Sequence, residues 1–220
     1  MRLTVVLGDV VASRELASPV AFQRTLRRGC DLANGRFAED LFAPFKILKG
    51  CDEIGGAVES PARLYGILGS ISDHIYPARM RFAVVSGEVS AGDDARDTSL
   101  MDGPAFHDAA KIMQRLKSTG RTAHLLLGDA DMDPLLTAQV NLLFALKEQW
   151  SLQQRRIVAV YDRLRRQNAV AAELRISQQA VSKTLRRCLW NEVHAVEEQL
   201  EAALQRMPSG KSRARRPPCR

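Results

Sequence analysis

Leu3-Thr4-Val5-Val6-Leu7-Gly8-Asp9-Val10-Val11 is a short apolar run, rich in β-branched residues, that meets its first charge at Asp9. Such a run reads as a buried strand, closed here by Asp9 and the turn former Ser13. It enters an acidic residue directly and no small-residue cleavage site follows, so it is a first strand and not a signal peptide, and the expected location is the cytoplasm. Downstream, Ser18 and Pro19 suit an N-cap and first helical position, and Phe22, Leu26, Cys30 and Ala33 recur at helical spacing toward Phe37. Phe45 to Leu48 and Ile54 to Val58 flank Lys49-Gly50-Cys51-Asp52-Glu53, a hairpin with acidic residues at its tip. A helix over Pro61 to Ile75, a strand over Arg79 to Val89, a helix over Pro104 to Lys117 stopped at Ser118-Thr119-Gly120, and a short strand over His124 to Leu127 complete the pattern. The order β-α-β-β-α-β, then α-β, predicts an α+β domain over residues 1–130 with helices on one face of an antiparallel sheet.

After Asp129-Ala130-Asp131-Met132-Asp133-Pro134 the strand signal ends, and helix formers dominate to Gln205. Asp- and Pro-rich loops interrupt regular structure, so a boundary falls there and an all-α domain is expected over residues 135–206. Residues 207–220, rich in Pro, Ser and Arg, have too little apolar surface to offset chain entropy and are expected to be a disordered basic tail.

The 220 residues are 45% hydrophobic and 26% charged, the balance of a globular protein, and no apolar run approaches the ~20 residues that span a bilayer. No membrane partner is expected. Cys30, Cys51, Cys188 and Cys219 have no paired C-x-x-C spacing, which argues against a zinc site or a disulfide framework. The net charge of +7 favours a polyanionic partner, and the excess is concentrated in one region. Arg155, Arg156, Arg163, Arg165, Arg166, Arg175, Lys183, Arg186 and Arg187 stand against only Asp162 and Glu173.

Within that basic half, Asn168-Ala-Val-Ala-Ala-Glu-Leu174-Arg-Ile176-Ser177-Gln178-Gln179-Ala180-Val181-Ser182-Lys183-Thr-Leu185 resembles a helix-turn-helix. Ala171 and Leu174 supply the inner face of a first helix, Ile176 plugs the corner, and Val181 and Leu185 supply the inner face of a second that Ser177 caps. Gln178, Gln179, Ser182, Lys183 and Arg186 are then the outward face, suited to base edges and phosphates of double-stranded DNA. The alternative is an ordinary helical hairpin whose polar face meets water. Leu142, Leu143, Leu146, Trp150, Ile157, Val160 and Tyr161 offer packing upstream, and Trp190, Val193, Val196, Leu200 and Leu204 form a stripe downstream.

The N-terminal half resembles the SatD family and the nucleotidyl cyclase fold over about residues 3–127. Leu7 to Arg14 is similar to the metal-binding first strand, Lys49 to Gly56 to the Gly-Asp-Glu hairpin, Arg81 to Val89 to the following strand, and Asp102 to Lys111 to the last long helix. The resemblance implies a ferredoxin-like, cyclase-like domain in which Asp9, Asp52 and Glu53 are the metal ligands and Asp9, Asp52 and Lys111 the cofactor-binding residues for Mg2+ with a nucleotide. It assigns no catalytic residue outright. His107 and Lys111 stand where cyclases carry an Asn and an Arg, and would be the catalytic pair in an active enzyme; lysine lacks the planar bidentate fork. Cys51 replaces the hairpin Gly, and Leu48 fills the base-selecting place. These departures weaken cyclisation more than ligand binding. The expected function is therefore a DNA-binding regulator, a homodimer whose cyclase-like half senses a nucleotide-like ligand or dimerises; a metal-dependent cyclase or nucleotidyltransferase is the alternative, and a pair of interaction modules a third.

Overall fold

The computed structural model describes residues 1–50, 52–90 and 96–209, with Lys49 described by its backbone alone. The expectations for Cys51, Cys219 and the tail from residue 210 lie outside the described residues. Strand β1 (Arg2–Val10) is central in a five-stranded sheet of order β2-β3-β1-β4-β5, with β2 Leu41–Lys49, β3 Glu53–Val58, β4 Met80–Glu88 and β5 Ala123–Leu126. The helices of this half are α1 (Pro19–Arg36), α2 (Leu64–Ile75) and α3 (Pro104–Thr119). The α+β class stands, with two corrections to its layout. β5 lies parallel to β4, so the sheet is mixed. The reason is topological: α3 carries the chain back along the sheet before β5 begins, and a helical crossover joins parallel neighbours.

Helices also cover both faces. Leu3 and Val5 of β1 pack with Ala105, Ala109, Ile112, Met113 and Leu116 of α3. The alternate positions Val6 and Val10 are equally buried, facing the side to which α1 brings Leu26, Cys30 and Ala33 and α2 brings Ile67, Leu68 and Ile71. Successive strand residues point to opposite faces, so an unbroken apolar run such as Val5 to Leu7 needs cover on both sides. Ser18 caps α1 by accepting the amide of Ala21, and the Asn34 side chain ties α1 to β2 through the N–H and C=O of Phe45. Gly120, at φ +70°, ends α3 in the left-handed conformation that glycine takes at little cost. Cys30 is buried and its thiol is pushed up to about 12, so it is an inert core group.

The edge strand β5 is closed by a side chain. Thr137 Oγ1 accepts from the Leu125 amide at 3.0 Å and donates to the Leu125 carbonyl at 3.4 Å, so buried backbone groups at the edge keep partners. His124 on this strand is half-buried, and burial first, then Arg115 and Arg121, holds its pKa below the ordinary 6.5. The unfolded chain therefore takes the proton more readily. Stability is full above pH about 6.5 and declines as pH falls from there toward the folded value. Thermal melts are expected to show a lower melting temperature at pH 5 than at pH 7, with part of that slope removed by His124→Gln; an identical slope in the variant would refute the assignment.

The chain divides into two compact units: Met1–Thr137 with the segment beginning at Glu201, and Ala138–Leu200. In the first unit Arg63 pairs with Glu201 at 3.3 Å, while Leu204 and Met207 are buried. The second unit contains only helices among its described residues: α4 (Met132–Glu148), α5 (Leu152–Leu164), α6 (Gln167–Leu174), α7 (Gln178–Arg187) and α8 (Trp190–Arg206), of which α4 and α8 have residues in both units. Ser151 and Gln154 form a reciprocal capping box on α5. On α4, Val140, Leu143 and Phe144 are buried at i, i+3 and i+4, one helical face, whereas Leu142 lies off that face and is 58% exposed. α6 turns at Arg175, which holds φ +55°. A left-handed residue with a side chain costs roughly 1–2 kcal/mol over a right-handed one. Arg175→Gly is thus expected to raise unfolding stability by about 0.5–1 kcal/mol, after the extra unfolded-chain freedom of glycine is offset, as denaturant titration would read; no gain would mean that the side chain repays its strain.

Candidate functional site

The sequence predicted two clusters, and they fall in different units. In the first unit, strand pairing sets Asp9 directly opposite Glu53 on β3 and Arg81 on β4, so all three share the α3 face of the sheet. α3 adds a fourth charge. Ala110, Met113, Gln114 and Lys117, at i, i+3, i+4 and i+7, line a cavity of about 150 Å³ with Leu7, Leu48 and Ile54, and Lys117 reaches the charged end. Asp9 has a side chain only 7% exposed, with Oδ1 2.7 Å from Lys117 Nζ and Oδ2 accepting from Arg81 Nη1 at 3.3 Å. Lys117 Nζ also stands 3.8 Å from Glu53 Oε1. Removing a buried carboxylate from water is costly unless cations and hydrogen bonds compensate it, and Arg81 and Lys117 supply both.

Asp52 is engaged elsewhere. Its Oδ2 accepts the Ser13 hydroxyl proton at 2.6 Å, and its carbonyl accepts from the Val10 amide at 3.0 Å, tying the hairpin tip to the end of β1. The structure thus brings Asp9 and Glu53 together, with Asp52 close in chain and bound to Ser13. It does not bring Lys111 or His107 to them. Lys111 is an exposed residue paired with Asp108 at 3.0 Å, and His107 is exposed and 3.0 Å from Asp102. Helical periodicity explains this: Lys111 is off the stripe that Ala110, Met113, Gln114 and Lys117 share. Arg81 and Lys117 were missed from the sequence. The spacing of Ala110 to Lys117 carried the signal for Lys117, whereas Arg81 becomes a neighbour of Asp9 only once the register is known.

The cyclase resemblance implies a magnesium ion with a nucleotide on Asp9, Asp52 and Glu53, and the residues as placed do not fit one. Both oxygens of Asp9 serve cations, Asp52 serves Ser13, and no group of three His, Cys, Asp or Glu side chains among the described residues could hold a metal.

In the second unit, Ser177 Oγ caps α7 by accepting the Ala180 amide at 3.1 Å, and Val181 and Leu185 are its buried face. Gln178, Gln179, Lys183 and Arg186 are exposed, Ser182 is half-buried, and α7 contains no acidic residue. Gln178 Nε2 donates to Gln167 Oε1 of α6 at 2.5 Å, which fixes one of these amides. The inner face of α6 is Val170 and Ala171, both buried; Leu174 and Ile176 are half-buried. Trp190 opens α8 with its Nε1 donating to Asp162 at 2.8 Å, edge-on to Tyr161, and with the Arg165 guanidinium over its ring.

Fold and site together define an α+β protein with an internally neutralised carboxylate cluster at one end of its sheet and a basic unit built of helices. The model of the SatD family matches residues 3–190, and the chain belongs to the SatD family. That match runs through α6 and α7, well beyond residues 3–127 where the sequence resemblance was placed. No curated protein sequence matches the chain. Among solved structures, a bacterial light-regulated adenylyl cyclase is similar at 11% identity over 56% of this chain and 74% of that one, with a TM-score of 0.41. No helix among the described residues is long and apolar enough to cross a membrane.

Proposed function

We propose that this SatD-family protein is a DNA-binding regulator in which α6 and α7 act as a helix-turn-helix and α7 enters the major groove. One observation carries the reading: a capped helix held by Val181 and Leu185 turns Gln178, Gln179, Lys183 and Arg186 to solvent without an acid among them. Glutamine amides pair with adenine edges and cations with guanine edges or phosphates, and a recognition helix offers its N-terminal residues to bases. Arg175, exposed in the turn, would be a phosphate contact beside that helix. A homodimer would present two such helices to a palindromic site, with the α+β unit as the pairing module and the cytoplasm as the setting. The alternative of a magnesium-dependent nucleotidyl cyclase draws no support from Asp9, whose charge Arg81 and Lys117 already meet.

Selection of bound sequences from a random duplex pool by the full chain tests the reading, run with and without Mg2+ and nucleoside triphosphate. Enrichment of a palindromic motif is expected. A pool that stays random under every condition would remove the assignment.

A further inference from the structure

We propose that Lys117 is a built-in cation: its ammonium stands between Asp9 and Glu53 where those carboxylates would otherwise hold a divalent metal ion, so the native chain binds none there and loss of the ammonium creates a metal site.

Asp9 and Glu53 are directly opposed on antiparallel strands, an arrangement in which like charges repel. Something positive must lie with them. Arg81 answers from β4 on the Asp9 Oδ2 side, and Lys117 answers between the two acids, 2.7 Å from Asp9 and 3.8 Å from Glu53. Its position is set by packing. Lys117 shares the helical stripe of Met113 and Gln114 along the cavity wall, so an apolar stem runs beside apolar surface and delivers the charged head at the end. Two carboxylates face two cations, a local net of zero. A divalent ion arriving there would leave the cluster at +2, with Lys117 pressed against it. Without the Lys117 charge the cluster is −1, and Asp9 with Glu53 would offer a hard cation two carboxylates while water fills its remaining positions.

The probe is Mn2+ alone on the full chain, read by melting temperature and by water-proton relaxation. Wild type is expected to show no shift in melting temperature, and no relaxation enhancement over that of the free ion, up to about 10 mM Mn2+. Lys117→Met, which keeps the stem and drops the charge, is expected to melt lower by a few degrees in metal-free buffer and to gain about 5 °C with Mn2+. Adding Asp9→Asn to Lys117→Met is expected to abolish that gain. Lys117→Arg should behave as wild type. Asp9-dependent Mn2+ binding by wild type would overturn the proposal, as would a folded Lys117→Met with no response to Mn2+. If Lys117→Met does not fold without metal, refolding answers the same question: recovery only with Mn2+ supports the proposal, and recovery in neither buffer overturns it.

Discussion

Gln179→Ala with Lys183→Ala is expected to weaken duplex binding by about a hundredfold while leaving the melting temperature unchanged. The size follows from what each side chain can do in a groove. A bidentate amide-to-base pair discriminates by about 1–3 kcal/mol, and the counterion released by one phosphate contact is worth about 1 kcal/mol more, so the two losses total roughly 2–4 kcal/mol, around the roughly 2.7 kcal/mol of a factor of one hundred. The stability half of the expectation rests on exposure: both side chains face solvent, and the packing of α7 belongs to Val181 and Leu185. Fluorescence anisotropy with a selected duplex, at two salt concentrations, reads the first half, and thermal melting reads the second. Equal affinity in variant and wild type would place DNA contact elsewhere or nowhere. A fall in affinity accompanied by unfolding would show only that α7 is structural.

Gly56→Ala is expected to cost about 1–3 kcal/mol, although alanine in place of glycine ordinarily stabilises a strand. Gly56 sits in β3 opposite Val6 of the central strand, and an added Cβ would meet Cγ, Cδ1 and Cδ2 of Phe45 at 2.7 Å. That ring is 2% exposed and has no solvent to retreat into, so overpacking must move it off its rotamer or push β2 outward. β2 already carries register irregularities on either side of Phe45, which lets the ring lie across the glycine. Phe45→Leu in the Gly56→Ala background is therefore expected to restore part of the loss, a coupling that a double-mutant cycle by denaturant unfolding would measure. Strict additivity would show that ring and glycine are independent.

These residues also mark how far the sequence could be read. The element order from β1 to β5 was legible because turn formers and capping residues sit at the boundaries: Ser18 before α1, Gly120 after α3, Ser177 before α7. The outward face of α7 was legible for the same reason, since a cap fixes the phase of a helix and Val181 and Leu185 then fix its inner side. Pairing was not legible. Nothing local in Ala123 to Leu126 tells a parallel edge strand from an antiparallel one, and Arg81 meets Asp9 through a register that only the folded sheet defines. Lys111 against Lys117 is the sharpest case. Both are lysines on α3, and the choice between them depends on which stripe of the helix meets the sheet.

The reading of α7 as the element that meets DNA is tested most directly by backbone amide chemical-shift mapping of the full chain during titration with a selected duplex. Changes concentrated on Gln178, Gln179, Lys183 and Arg186, with Arg175 in the turn, are the expected result. Shifts confined to the α+β unit, with α7 silent through saturation, would contradict it.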